Sequence, residues 1–290
     1  MMTNSTLRGS IEDKGLVQIM ASHSPLSARL AQEAGFDGLW ASGFELSALY
    51  GLADVSLITM TQHLEMLRAI AGISRLPIVA DIDTGFGNAV NVVHAIQEYE
   101  RAGAACVVIE DKSFPKVTSL VAGGRQDLLR VEEFQGKIEA ACASRQSGDF
   151  LIVARVEALI AGLGQAEALK RAEAYVEAGA DMILIHSKQK TPKEIEAFIA
   201  AWSDAVPLVL VPTAYPEMTV ERVRATGKVG MVIWGNHSIR AAVTAIQEVY
   251  RRILADGGIH EVSNQIVPVT EIFRLQNMGR VKDIENSFLK

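Results

Sequence analysis

Eight short apolar segments alternate with longer amphipathic segments along most of the chain. Each apolar segment is five to eight residues long and rich in Val, Ile and Leu, which is typical of parallel strands buried on both faces. These segments are Gly15–Ala21, Gly38–Ser42, Pro77–Asp83, Cys106–Asp111, Phe150–Glu157, Met182–Ser187, Pro207–Thr213 and Met231–Gly235. Helical patterns follow them at Leu26–Ala34, Met60–Ala71, Ala89–Ala102, Val131–Ser144, Gln165–Ala178, Pro192–Trp202, Met218–Ala225 and Ser238–Ala255.

The number of alternations indicates the architecture. Eight strand–helix pairs in one chain favour a closed barrel over an open doubly wound sheet, which needs fewer strands. An open sheet usually also has a glycine-rich first turn, and Ala21-Ser-His-Ser-Pro25 is not one. The sequence therefore predicts an α/β fold, namely a (β/α)8 barrel of the TIM type.

The last part of the chain departs from the alternation. Gly257-Gly258 interrupts the pattern, and Val269–Asn277 has the pattern of an extra helix. We therefore predict a single barrel domain over residues 1–290, in which residues 256–290 form a C-terminal helical extension. An extension of this kind often packs against a neighbouring subunit, so the sequence also predicts an oligomer.

Charge and composition exclude several classes of function. The formal net charge is −6 without a basic stripe, so nucleic acid is not an expected partner. The two cysteines, Cys106 and Cys142, form neither a disulfide framework nor a metal-binding spacing, which fits a reducing compartment. No apolar run approaches the roughly 20 residues of a membrane span, and the polar start lacks the apolar core of a signal peptide. These features predict a cytoplasmic protein with no membrane partner.

Polar side chains stand at the carboxyl ends of successive predicted strands. In a barrel these ends converge on one face, where catalytic groups gather. A single charge at a strand end can be a solvated boundary, but a set that recurs on strand after strand predicts one site for a small molecule. The set consists of Ser42, Asp81, Asp83, Glu110, Asp111, Arg155, Glu157 and His186.

The carboxylates of this set predict a metal ion. Asp81 and Asp83 are two residues apart on a predicted strand and therefore point the same way, and Glu110 ends the adjacent strand. Crowded carboxylates repel one another unless a cation lies among them. A set of oxygen ligands favours a hard ion such as Mg²⁺, with Mn²⁺ or Co²⁺ as alternatives. Asp54 either joins this site through a metal-bound water or caps the following helix.

Cationic and small residues predict an anion site beside the metal. Arg155 points inward among acidic groups, where its planar fork suits carboxylate or phosphonate oxygens. His186 follows a buried strand and is predicted to face a ligand, whereas His63 and His94 lie on helices and are predicted to be solvated. Gly43 lets backbone N–H groups approach an anion closely. The loop Phe114–Asp127 is long and lies between a predicted strand and a predicted helix. A long loop in this position is often a lid.

Three segments carry a resemblance to a known family. The motifs Asp81-Ile-Asp-Thr-Gly-Phe-Gly87, Glu110-Asp-Lys-Ser-Phe-Pro-Lys116 and Val153-Ala-Arg-Val-Glu157 resemble those of the phosphoenolpyruvate mutase/isocitrate lyase superfamily. The resemblance extends from about residue 15 to the C-terminus. It implies an α/β barrel whose last helix is swapped between subunits, a homodimer or homotetramer, and a Mg²⁺ ion that carries an enolisable 2-keto acid.

The resemblance also implies a role for each site residue. Asp81 is the direct metal ligand, and the metal-bound waters are held by Asp83, Glu110 and Asp54. The keto acid is bound by Ser42, Gly43 and Phe44. The phosphonyl oxygens are neutralised by Arg155, His186 and Lys116, and Thr118 lies in the substrate site. The catalytic set is Thr118, Lys116, Arg155 and His186.

The loop after the fourth strand distinguishes the branches of the superfamily. Carbon–carbon lyases carry a catalytic Cys there, and this loop has none, which argues against cleavage of isocitrate-like acids. The loop is similar to that of enzymes acting on phosphonopyruvate. Thr118 stands where mutases of this branch typically have Asn, so the resemblance favours hydrolysis of the phosphorus–carbon bond over the mutase reaction. A barrel that only binds or assembles is a further alternative, which a magnesium titration tests.

Overall fold

Eight parallel strands form a closed barrel in the computed structural model, which describes residues 6–121, 123–203 and 206–289. Each strand pairs with the strands before and after it in sequence, and β8 pairs with β1. The strands are β1 Val17–Ser22, β2 Gly38–Ala41, β3 Ile78–Asp81, β4 Cys106–Glu110, β5 Leu151–Val156, β6 Met182–Ile185, β7 Leu208–Leu210 and β8 Val229–Trp234. Six of the eight predicted apolar segments contain their strand completely, whereas β1 extends one residue and β8 two residues beyond the predicted bounds. The predicted (β/α)8 barrel is therefore confirmed.

The described helices follow the predicted pattern with four additions. They are α1 Leu7–Lys14, α2 Pro25–Ala34, α3 Gly43–Leu49, α4 Met60–Ala71, α5 Ala89–Arg101, α6 Val131–Ser144, α7 Gly164–Glu177, α8 Lys193–Ala201, α9 Val220–Ala225, α10 His237–Asp256, α11 His260–Ser263, α12 Val269–Leu275 and α13 Met278–Phe288. The helices α1, α3, α11 and α13 were not predicted from the sequence. Since α3 and α11 have only seven and four residues, they are too short for a helical period to show in the sequence.

The strands bury both of their faces, in two separate layers. Alternate residues of all eight strands meet inside the barrel, and the intervening residues pack against the helices. The interior layer includes Val17, Ile19, Ala21, Trp40, Val79, Cys106, Val108, Leu151, Val153, Met182, Leu184, Val209, Met231 and Ile233. This arrangement explains why the strands are continuous apolar runs in the sequence, because neither face is exposed to water.

The period of two residues then decides what lies at the top of the barrel. Val79 is interior, so Asp81 at the end of β3 points to the same side. By the same rule, Glu110 continues the interior row of β4, and Arg155 continues that of β5. The strand pattern alone therefore brings two carboxylates and a guanidinium to the carboxyl end of the barrel interior.

The chain divides into two compact units, Met1–His237 and Ser238–Lys290. The first contains the complete barrel, and the second consists of α11, α12, α13 and all but the first residue of α10. The predictions of a single domain, of an extension beginning at residue 256 and of a swapped helix stay predictions. No helix within the described ranges is both long and apolar enough to cross a membrane.

Candidate active site

A cavity of about 60 Å³ lies at the carboxyl ends of the barrel strands. Its walls include most of the predicted site residues, together with residues that follow β7 and β8. The lining residues are Trp40, Ser42, Phe44, Asp54, Asp81, Lys116, Thr118, Ser119, Leu120, Arg155, His186, Val211, Thr213, Gly235 and Asn236. Of the other predicted residues, Asp83 contacts the lining residue Lys116 and Glu110 contacts the lining residue Arg155, and Gly43 stands between the lining residues Ser42 and Phe44 in the sequence.

Asp81 and Asp83 lie together, but for a different reason from the one predicted. The strand β3 ends at Asp81, and Asp83 follows in a turn with a left-handed φ of +50°. The turn folds back so that the backbone N–H of Asp83 faces Asp81 Oδ1 at 3.4 Å. A side chain at Gly43 would place its Cβ 3.2 Å from Asp83 Oδ1 and 3.6 Å from Asp81 Oδ2. Glycine at position 43 therefore lets the start of α3 approach both carboxylates.

The ammonium group of Lys116 bridges two of the predicted metal-site carboxylates. Lys116 Nζ lies 3.0 Å from Asp54 Oδ1 and 2.9 Å from Asp83 Oδ1, and all three side chains are largely buried. Burial opposes ionisation of Lys116, but the surrounding carboxylates, above all Asp83 and Glu110, raise its pKa well above the ordinary value. Lys116 is therefore a permanent cation at this position.

Asp54 is not a helix cap, because the following helix α4 is capped by Thr59. Instead, Asp54 faces the cavity and pairs with Lys116. Nearby, the hydroxyl of Ser56 donates to Asp83 Oδ2 at 3.2 Å and accepts from the backbone N–H of Lys116 at 3.2 Å. Through Asp54 and Ser56, the segment after α3 thus connects the loop after β4 to the carboxylate of Asp83.

The carboxylates lack enough neutralising partners among the described residues. Burial raises the pKa of Glu110 to about 7, against the opposing charges of Lys116 and Arg155. Burial also raises the pKa of Asp81. Glu110 Oε1 is buried and has no hydrogen-bond partner within the described ranges. Buried, undercompensated oxygen atoms of this kind fit a hard divalent cation with its bound water.

The described residues contain no ready-made cluster of three metal-binding side chains. A magnesium ion does not require one, since it commonly keeps several waters and binds through one or two carboxylates. The donor set of Asp54, Asp81, Asp83 and Glu110 therefore suits Mg²⁺ better than it suits zinc, which prefers nitrogen and sulfur ligands.

Arg155 is the centre of the cationic side of the cavity. Its guanidinium donates to Glu157 Oε1, lies 3.5 Å from Glu110 Oε2 and faces His186 Nδ1 at 3.0 Å. Burial opposes ionisation of Arg155, but Glu157 and Glu110 raise its pKa. Burial and the charge of Arg155 lower the pKa of His186, so this imidazole is neutral at neutral pH.

A buried network behind Arg155 was not predicted. The hydroxyl of Ser119 contacts Lys112 Nζ at 2.6 Å, Glu157 Oε2 at 2.6 Å and an Arg155 nitrogen at 3.1 Å. Lys112 Nζ also lies 3.2 Å from Glu157 Oε2 and donates to the carbonyl of Val117. The network holds the backbone on both sides of Thr118. A charged residue two positions after the end of β4 was the available signal for Lys112, whereas nothing marked Ser119.

Asp111 supports the same region from outside the barrel. As the next residue after Glu110, it falls on the opposite face, where Asp111 Oδ2 accepts from Arg171 at 3.0 Å and from Tyr175 at 2.8 Å. Its other oxygen accepts from the backbone N–H of Glu157 at 2.9 Å. Asp111 is thus a structural partner of the β5 end and lies outside the cavity lining.

The loop between β4 and α6 contributes three consecutive residues to the cavity, at positions 118–120. Both ends of the loop are joined to each other, since Ser113 N donates to Asp127 O at 3.0 Å and Leu129 N donates to Asp111 O at 2.9 Å. The described part of the segment between these ends has neither a strand nor a helix. The prediction that Phe114–Asp127 acts as a lid stays a prediction.

The prediction for His63 was wrong, and that for His94 is confirmed. His94 is exposed, but His63 is 4% exposed and lies on the buried face of α4 with Leu67 and Ile70. His63 precedes these two residues by four and seven positions, a helical spacing that predicts a shared buried face.

The fold and the site are those of a (β/α)8-barrel enzyme, and comparison with known proteins gives its family. The phosphoenolpyruvate phosphomutase family model matches residues 8–254. A phosphonopyruvate hydrolase from Variovorax sp. (strain Pal2) is 57% identical, with 100% of both chains covered. A phosphoenolpyruvate phosphomutase from Tetrahymena pyriformis is 45% identical over 98% of this chain and 94% of the relative. The chain therefore belongs to the phosphoenolpyruvate phosphomutase family.

A solved structure of a phosphonopyruvate hydrolase has the same fold as this chain. A crystal structure of phosphonopyruvate hydrolase in complex with oxalate and Mg²⁺ superposes with a TM-score of 0.94 at 55% identity, and 100% of each chain is covered. The resemblance inferred from the three motifs is thus confirmed.

Proposed function

We propose that this protein is a magnesium-dependent hydrolase that cleaves the phosphorus–carbon bond of phosphonopyruvate, giving pyruvate and phosphate. The observation that carries the proposal is a single cavity that brings carboxylates and cations together. Asp81 and Asp54 line it with oxygen ligands, Lys116 pairs with Asp54 there, and Arg155 lines the same space. The full-length similarity to a phosphonopyruvate hydrolase supports this choice of substrate.

The acidic side suits the metal and the keto-acid end of the substrate. Asp81 would contact Mg²⁺ directly, with Asp54, Asp83 and Glu110 holding its waters. When bound, the ion supplies a Lewis acid for the negative charge that develops on the keto-acid oxygens. The free N–H groups at the start of α3, at Gly43 and Phe44, suit the substrate carboxylate, because the first turn of a helix has N–H groups without intrahelical partners.

The cationic side suits the phosphonyl group. Arg155 and Lys116 carry permanent charges, and the neutral imidazole of His186 offers a hydrogen bond. Together they neutralise and position a phosphoryl group in a loose, metaphosphate-like transfer. The electrons of the broken phosphorus–carbon bond remain on C3 of the pyruvate enolate, which then takes a proton.

Thr118 is the residue that we assign to the choice between hydrolysis and the mutase reaction. In a mutase the phosphoryl group returns to the same substrate molecule, whereas in a hydrolase water must intercept it. Thr118 is half-buried in the cavity wall, between backbone segments anchored by Lys112 and Ser119. Its short side chain leaves space for a water molecule, and its hydroxyl is able to orient that water.

The activity is tested by identifying the products. Purified protein with Mg²⁺ and phosphonopyruvate should release pyruvate and inorganic phosphate in equal amounts, and a chelator should stop the release. Phosphoenolpyruvate as the main product would instead indicate the mutase reaction. Turnover confined to oxaloacetate-like acids in a substrate panel would indicate a carbon–carbon lyase.

Replacing Thr118 by Asn should lower the rate of phosphate release by about tenfold or more, since the amide fills the space for water and holds the phosphoryl group. Steady-state release of phosphate and pyruvate measures the effect. The matched control is Thr118→Ser, which keeps both the hydroxyl and the space and should retain most of the rate. An unchanged rate in Thr118→Asn would remove Thr118 from the mechanism.

We also propose that the protein is a cytoplasmic homodimer or homotetramer. The unit 238–290 exposes many large apolar side chains, and covering them is a common reason for subunit association. They include Val243, Ile246, Tyr250, Leu254, Ile259, Val269, Phe273, Val281, Ile284 and Phe288. Light scattering of the purified protein decides between a monomer, a dimer and a tetramer.

A further inference from the structure

A buried histidine–tyrosine pair lies behind the cavity without belonging to it. His63 on α4 and Tyr99 on α5 are 4% and 0% exposed, and the Tyr99 hydroxyl lies 2.8 Å from His63 Nδ1. On the other side of the ring, His63 Nε2 lies 3.2 Å from the carbonyl oxygen of Ala41. Ala41 is the last residue of β2, directly before Ser42 and Gly43.

The partners of the ring fix its tautomer. A carbonyl oxygen only accepts, so His63 Nε2 carries the proton and donates it to Ala41. His63 Nδ1 is then the acceptor, and the Tyr99 hydroxyl donates to it. Burial raises the pKa of Tyr99 well above its usual value and lowers the pKa of His63, which keeps the phenol protonated and the imidazole neutral. The two hydrogen bonds thus run in one direction: the Tyr99 hydroxyl donates to His63, and His63 donates to the carbonyl of Ala41.

The carbonyl of Ala41, which accepts the last of these hydrogen bonds, belongs to a part of the backbone with little freedom to move. Ser42 caps α3 by accepting from the N–H of Glu45 at 3.2 Å, so the position of Ala41 sets the start of the helix. The backbone at Gly43 already approaches Asp83 and Asp81 closely. His63 also borders two small cavities, one lined by Ser42 and the other by the two aspartates.

We propose that His63 is a positioning residue for the keto-acid end of the substrate. Its Nε2 proton is donated to the Ala41 carbonyl, and the Tyr99 hydroxyl holds the ring from the other side. Together they fix the Ala41 carbonyl and with it the N–H groups at the start of α3 and their distance from the metal-site carboxylates. This inference rests on the proposed function and adds residues that do not touch substrate themselves.

The test measures the affinity for oxalate, a stable analogue of a keto-acid end, at saturating Mg²⁺ by calorimetry. His63→Leu leaves the buried Ala41 carbonyl without this donor and should weaken oxalate binding about tenfold. His63→Gln places an amide N–H near the position of Nε2 and should recover affinity to within about threefold of wild type. In turnover, KM for phosphonopyruvate should rise more than kcat falls.

Tyr99→Phe is the milder variant, since it removes only the hydroxyl that donates to His63 Nδ1 and holds the ring in place, and it should weaken oxalate binding about threefold or more. The matched control is Tyr215→Phe, because Tyr215 is equally buried and its hydroxyl has no hydrogen-bond partner within the described ranges. This control should bind oxalate like wild type.

The outcomes separate this inference from the proposed function. Wild type that binds neither Mg²⁺ with oxalate nor phosphonopyruvate contradicts both. Wild-type binding with unchanged affinity in His63→Leu, or equal weakening in His63→Gln and His63→Leu, overturns the role of His63 alone. If His63→Leu does not fold, Tyr99→Phe decides: wild-type affinity overturns the proposal, and a threefold loss that Tyr215→Phe does not show supports it.

Discussion

Asp81→Asn should abolish magnesium-dependent turnover while leaving the barrel folded. Asp81 is the last residue of β3 and points into the barrel interior. Of the four predicted metal-site carboxylates, Asp81 and Asp54 line the cavity. In the proposed mechanism Asp81 is the direct metal ligand, so its loss would remove a Lewis acid worth several kcal/mol in the transition state, and the rate should fall about a thousandfold or more. Calorimetric titration with Mg²⁺ and assays of pyruvate release measure the two effects.

The same substitution should not destabilise the metal-free protein. Burial raises the pKa of Asp81, which means that the ionised carboxylate is less favourable in the folded state than in the unfolded chain. Stability from such a group is present below its unfolded pKa and is lost as the pH rises through the folded value. At neutral pH, Asn should therefore give an equal or higher melting temperature. The control is Asp13→Asn, at an exposed position near the end of α1, which should change neither property. Magnesium-dependent turnover that survives in Asp81→Asn would contradict the assignment.

Arg155→Met should be the most destabilising of the substitutions considered, and it should also be inactive. Arg155 neutralises Glu157 and Glu110 inside the barrel. Removing one partner of a buried ion pair leaves an uncompensated charge and costs about 3–5 kcal/mol of unfolding free energy. Lys112 still pairs with Glu157 and limits this loss. Urea denaturation measures the stability, and turnover measured well below the melting temperature isolates the catalytic effect.

The matched control for Arg155→Met is Arg145→Met. Arg145 also forms a salt bridge, at 2.6 Å to Asp181, but on the opposite side of the barrel from the cavity. This variant should lose some stability and keep its turnover per folded molecule. Wild-type stability of Arg155→Met would show that the charges of Glu157 and Glu110 are compensated elsewhere.

The sequence predicted the parts of the site that depend on strand periodicity. Asp81, Glu110 and Arg155 each follow an interior residue by two positions, so knowing the strands is enough to place their side chains. The closed barrel brings these strand ends together without further information. The same rule sends Asp111 to the outer face, where it binds Arg171 and Tyr175.

Residues outside the strands could not be placed in this way. Asp83 reaches the site because the turn after β3 folds back with a positive φ, which an alternating pattern does not encode. Ser119 lies on an irregular loop, where no period relates a residue to its direction. His63 is the intermediate case: its helix face was readable from Leu67 and Ile70, but its partners at Tyr99 and Ala41 are set by tertiary packing.

The position of Lys116 has a consequence for the protein before any ion arrives. Its ammonium group lies between Asp54 and Asp83 and is supplied by the chain itself. Lys116 therefore compensates two of the four carboxylates at the acidic end of the barrel, Asp54 and Asp83, before an external cation binds. Because the same lysine belongs to the loop after β4, binding of a divalent cation at these carboxylates would change the electrostatic anchoring of that loop.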